Sequence, residues 1–200
     1  MTVSRIITLL IMLLLASCSS TELTSVWTDE TRTRQLDSIL IVGISSEDHR
    51  RRVFEDAFVA TVQNKGVNAT AGYQVLEGSP PDADQVLNRI TDMDIDAVLV
   101  THAIGVENAE VYHPPRVEAV PYGYYNSFHG YYSHVYNYVQ VPGYTTQHVI
   151  VRLETNLYDA ADRSLLWSAQ SQTVDPASLD SLISELTREI TGGLADAGFM

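Results

Sequence analysis

The residues able to do chemistry are few, and their spacing limits what that chemistry can be. Ser45, Ser46, Arg50 and Arg51 follow an apolar run that ends Val42-Gly43-Ile44. Hydroxyls and guanidinium groups beside the free N–H groups of a helix start would suit an anion. The junction holds one glycine and lacks a Gly-Lys-Ser/Thr ending, so it is neither a dinucleotide fingerprint nor a phosphate loop. The other reading of the arginines is a solvated helix face, with Arg51 and Arg52 four residues before Glu55 and Asp56. His113, His129, His134 and His148 form no helical His pair and have no cysteine or carboxylate at ligand spacing, so no metal site is expected. There is no Gly-x-Ser-x-Gly elbow. Asp92, Asp94 and Asp96 run into an apolar strand rather than an EF-hand loop, and read as a turn with one structural carboxylate. No catalytic constellation emerges, and the expectation is a non-catalytic chain without cofactor.

The tyrosines are the other chemical signal. Residues 112–144 carry nine of the eleven tyrosines, and Arg116 and Glu118 are the only acidic or basic side chains among them. Tyr122, Tyr124, Tyr125, Tyr131 and Tyr132 alternate with small polar residues. Tyrosine combines a large contact area, low rotamer cost and a polar tip, so such a segment suits a protein partner or a glycan. The alternative is a long loop that packs its own rings. Acidic residues outnumber basic ones, 25 to 12, for a net charge of −13. That balance argues against nucleic acid, whose binding needs a basic face.

The elements that must position these residues follow from hydrophobic periodicity. The run 38–44 reads as a strand buried on both faces. Ser45 and Ser46 are placed to cap a helix carrying Val53, Phe54, Ala57, Phe58, Thr61 and Val62 on one side, ended by Gly66. A strand over 67–73, a helix over 82–90 and a strand over 95–101 follow. The order β-α-β-α-β predicts parallel strands. Beyond the tyrosine segment, alternation over 148–157 and a return through Leu165, Trp167 and Ala169 predict an antiparallel hairpin. Asp175-Pro176 opens a last helix with the stripe Leu179, Leu182, Ile183, Leu186, Ile190 and Leu194. The predicted fold class is α/β: one domain over 35–200 with a mixed sheet, a loop insertion over 112–144 and a C-terminal helix.

The N-terminus supplies the address. Arg5 and the mostly apolar run 6–15 make a secretory signal peptide over 1–17, too short to span about 30 Å of hydrocarbon. The sole cysteine ends it. Leu15-Ala16-Ser17-Cys18 resembles the lipobox of bacterial lipoproteins. That resemblance implies cleavage before Cys18 and diacylation of its sulfur, with palmitate-like chains holding the protein in a membrane. Ser19, where such lipoproteins carry Asp for inner-membrane retention, implies an outer-membrane location facing the periplasm. Residues 18–34 are expected to form a lipidated tether. Ser25-Val26-Trp27-Thr28-Asp29, Arg51-Arg52-Val53-Phe54-Glu55-Asp56, Asp96-Ala97-Val98-Leu99-Val100-Thr101 and Leu166-Trp167-Ser168-Ala169 resemble a family of small bacterial envelope lipoproteins without assigned activity. The tyrosine segment and Leu157-Tyr158-Asp159 match it too. The element order resembles the amino-terminal domain of TolB and peptidoglycan-synthase activator lipoproteins, which implies binding or assembly rather than catalysis. The expectation is a lipid-anchored binding or assembly module. The alternatives are a structural lipoprotein that self-associates through its tyrosines, and an envelope hydrolase.

Overall fold

The computed structural model describes residues 21–78, 80–119 and 138–200. Cys18 and Tyr122, Tyr124, Tyr125, Tyr131 and Tyr132 lie outside the described residues. In chain order the elements are β1 Thr21–Thr28, β2 Ser38–Ile44, α1 Asp48–Gln63, β3 Asn68–Ala71, a 3-10 turn Gly72–Gln74, α2 Ala83–Met93 and β4 Ala97–His113. They continue with β5 Arg116–Ala119, β6 Tyr138–Val141, β7 Tyr144–Asp159, β8 Leu165–Val174 and α3 Leu179–Asp196. They form two units, Met1–Val106 with Ile150–Met200, and Glu107–Val149.

The larger unit is built on a mixed six-stranded sheet of order β1-β8-β7-β4-β2-β3. Strand β2 runs parallel to both β3 and β4, as the β-α-β-α-β order requires. The hairpin β7–β8 is antiparallel, as its alternation predicts. Alternate residues of a strand point to opposite faces, and the apolar residues divide accordingly. On one face Ile39, Ile41 and Leu99 of the sheet meet Phe58 and Val62 of α1 and Leu186, Ile190 and Leu194 of α3. Leu40, Val42 and Val98 belong to a second cluster with Ile90 of α2. Trp167 points inward, fully buried in the first cluster. A Cβ on Gly193 of α3 would come within 3.1 Å of its ring, so the helix lies directly on the indole.

Four details differ from the sequence reading. Thr21–Thr28 is not tether but an edge strand paired with β8, with a register shift between Leu23 and Ser25. An edge whose register is broken in this way is a poorer template for pairing with other chains. Residues 29–36 are also docked: Arg32 pairs with Asp159 and Asp162, and the Leu36 N–H donates to the Phe199 carbonyl. The α1 N-cap is Glu47, while Ser45 spends its hydroxyl locally, accepting from the Glu47 N–H at 3.1 Å. Helix α3 begins after Ser178 rather than at Pro176. Ser178 and Ser181 cap each other reciprocally, with each backbone N–H donating to the other's hydroxyl, and Asp175 turns the chain at φ 49°.

The turn before β4 matches its reading. Asp94 ends α2 in the left-handed region at φ 52°. Asp96 is the structural carboxylate, accepting from the Asp37 and Ser38 N–H groups at 2.8 and 2.9 Å. Burial pushes its carboxyl up, but these bonds and the Arg34 guanidinium outweigh burial and hold it below the usual carboxylate range.

The smaller unit contains a two-stranded antiparallel sheet, β5 with β6, in which Arg116 faces Val141 across the ladder. The expected loop over 112–144 is therefore partly strand: β4 runs on to His113, and β7 already begins at Tyr144. His113 stacks on the Tyr144 ring at 4.5 Å and shares the Thr146 hydroxyl with His148. Gly143 is required by crowding, since a Cβ there would meet the Tyr112 hydroxyl at 2.8 Å and the His113 carbonyl at 3.0 Å.

Candidate functional site

In the sheet, the chain leaves β2 toward β3 on one side and β4 toward β7 on the other. The C-terminal end of β2 and the middle of β4 beside it therefore flank a topological switch point, where open α/β sheets form a crevice. A cleft of about 370 Å³ lies there. Gly43 and Ile44 of β2, with Ala103 and Val106 of β4, line one part. Val151 and Leu153 of β7 and Leu182 and Ile183 of α3 line another part. The volume falls within the range of small-ligand sites, roughly 300–1,000 Å³. A second cleft of about 330 Å³ lies under α2, against Val42, Val98 and Tyr158.

The junction residues singled out from sequence have different fates. Ser45, Arg50 and Arg51 line the first cleft; Ser46 is exposed. Arg50 is exposed and lies 2.8 Å from Glu47. Arg52 pairs backward with Asp48 at 2.8 Å rather than forward with Asp56. Arg51 is not on a solvated face. It is 2% exposed, and its Nε donates to Glu55 at 2.9 Å.

Glu55, fully buried, is the hub that sequence reading missed. Strand β3 is four residues long and pairs with β2 only as far as Ile41. The Gly43 N–H, beyond that last pair, donates instead to Glu55 Oε1 at 2.9 Å. The Tyr73 N–H donates to Oε2 at 2.6 Å. One carboxylate thus closes two backbone donors that the short strand leaves over, and Arg51 neutralises its charge. Gly72 makes room: a Cβ there would lie 2.9 Å from the Ile41 carbonyl and 3.2 Å from Glu55. Arg51 Nη1 donates to the Gly78 carbonyl, and its buried Nη2 has no partner among the described residues. A signal was present in the spacing. The buried positions of α1 are Arg51, Glu55, Phe58 and Val62, so the ion pair continues the stripe of two core residues.

The cleft that results is apolar, with the cations at its edge already paired to carboxylates. Among the described residues, no cluster of three His, Cys, Asp or Glu side chains could hold a metal ion. No helix among them is long and apolar enough to cross a membrane.

The chain matches no family model and no curated protein. Among solved structures it is similar to the PelC dodecamer from Paraburkholderia phytofirmans, at 12% identity and a TM-score of 0.47, over 87% of this chain and 95% of that one. It is also similar to lipoprotein GNA1162 from Neisseria meningitidis, at 16% identity and a TM-score of 0.44, over 80% of this chain and 98% of that one. At these scores the likeness assigns no activity to this chain.

Proposed function

We propose that this protein is an envelope lipoprotein, anchored in the outer membrane through acyl chains on Cys18, that acts as a non-catalytic binding or assembly module. The observation that carries the reading is the lipobox-like Leu15-Ala16-Ser17-Cys18 at the end of a signal-peptide h-region. Two or three acyl chains anchor stably where one would not. The recognition surface is the tyrosine-bearing unit, Glu107–Val149, and its partner an envelope protein or a glycan. Support comes from its described apolar side chains: Val111, Tyr112, Val117 and Tyr144 are each about half exposed or more. Interfaces favour such rings, and a few of them dominate the binding energy.

The test is Cys18→Ser in cells fed a labelled fatty acid. The variant loses acyl label and leaves the membrane fraction or stays unprocessed. A Cys18→Ser protein as labelled and as membrane-bound as the parent would refute the anchor. In-cell crosslinking from Tyr124 then identifies the partner: a different protein or a glycan supports the module, and the same chain supports self-association.

A further inference from the structure

We infer that the apolar cleft between the C-terminal end of β2 and the middle of β4 is a receptor for one acyl chain of the protein's own N-terminal lipid. This rests on the reading of Cys18 as the lipidated residue. Thr21 stands in one row across the sheet with Thr173 of β8 and Val151 of β7. Val151 lines the cleft, so Thr21 is two strand spacings from its wall, about 10 Å. Thr21 is held there. The Thr21 N–H and hydroxyl both lie 3.1 Å from Glu185 Oε2, and the two hydroxyls of Thr21 and Thr173 are 2.7 Å apart. Glu185 sits on α3 beside Leu186, which also lines the cleft.

Cys18 is three residues before Thr21, so even a fully extended chain keeps it within about 11 Å. An acyl chain attached at Cys18 is therefore within reach of the cleft. The cleft also gathers exposed apolar side chains. Ile44, Val106 and Leu179 all line the cleft and are 46%, 66% and 39% exposed. A volume of about 370 Å³ is more than twice the roughly 150 Å³ apolar cavity that takes up benzene. The lining is mostly apolar, with Ser45, Thr101, His102 and the two arginines as its polar members, and its aliphatic part suits a methylene chain. The short tether adds proximity, since a ligand on a linker of a few residues reaches an effective concentration in the millimolar range. Arg50 is paired with Glu47 and Arg51 with Glu55, so the charge of both cations in the lining is already neutralised.

The experiment uses the full chain in cells fed a fatty acid with a terminal diazirine, followed by irradiation of membranes and peptide mapping. The expected product joins the acylated Cys18 peptide to peptides containing residues 101–106, 150–153 or 179–186 of the same molecule. Ala103→Trp fills the mouth from an exposed position and lowers that crosslink by roughly tenfold or more. Leu179→Glu, also exposed, has the same effect, while both variants keep the parent melting transition. A labelled Cys18 peptide joined only to phospholipid, cleft peptides carrying a phospholipid acyl chain instead, or a crosslink indifferent to both substitutions overturns the inference and leaves the anchor standing. A Cys18 peptide without label overturns the anchor, and this inference with it.

Discussion

The two units use aromatic and apolar side chains in opposite ways. The larger one buries them: Trp167, Phe58 and Phe199 have no exposed surface, and three helices cover parts of its sheet. The smaller one shows no fully buried apolar side chain among its described residues, and Val111, Tyr112, Val117 and Tyr144 face solvent. Burial makes a residue matter for folding; exposure without charge makes it available for contact. Substitutions in the larger unit should therefore be read in stability, and those in the smaller unit in binding.

The strongest challenge to that division is the Arg51–Glu55 pair, a charged pair inside the unit that folds. Removing one partner leaves a buried charge and costs about 3–5 kcal/mol. Glu55→Ala should be worse than Arg51→Met, because it also strips the acceptor from the Gly43 and Tyr73 N–H groups. Urea unfolding of the two variants checks the order, and equal losses would mean the backbone bonds contribute little. Trp167→Ala should cost a similar amount, about 3–5 kcal/mol, because the ring fills the space under α3. A melting curve within a degree or so of the parent would remove Trp167 from the core.

Gly193→Ala sharpens the same point with one methyl group. Alanine favours a helix by up to about 1 kcal/mol, but here its Cβ meets the indole at 3.1 Å and Leu23 Cδ1 at 3.3 Å. Overpacking of this kind costs about 1–3 kcal/mol, so the net effect is a loss. A gain in melting temperature would show that α3 can shift on the sheet. The smallest effect concerns acid. The Asp96 carboxyl is held below its ordinary value of 3.8, so its contribution is present above that value and lost as pH falls through the lowered one. Asp96→Asn should lower stability at neutral pH and flatten the decline below about pH 4. An unchanged acid limb would transfer the effect to another carboxylate.

Much of the larger unit was legible because its periodicities are uninterrupted. The run 38–44, the helix stripe ending in Phe58 and Val62, and the alternation over 148–157 each have one solution. Strand β1 was hidden for the opposite reason. Its eight residues include exposed Val26 and Trp27, and pairing with β8 rather than an apolar face makes it a strand. The extension of β4 past Thr101 is hidden likewise, since residues 102–113 mix polar and apolar types along a largely exposed strand. Of the site, Ser45, Arg50 and Arg51 are legible as a polar junction, and Arg51 is buried rather than solvated because it falls on the same helix stripe as Phe58 and Val62. The cleft itself depends on β7 and α3 meeting β2 and β4, a tertiary fact with no local signature.

The proposal that the larger unit carries stability and the smaller one recognition is tested most directly by changing Tyr124 and Tyr131 together to Ser. The account predicts a melting temperature close to that of the parent and loss of the in-cell crosslink to the partner. A truncated interface ring costs about 2 kcal/mol, roughly thirtyfold in affinity. A large fall in melting temperature, with the crosslink retained in the folded fraction, would place these rings in a core and contradict the account.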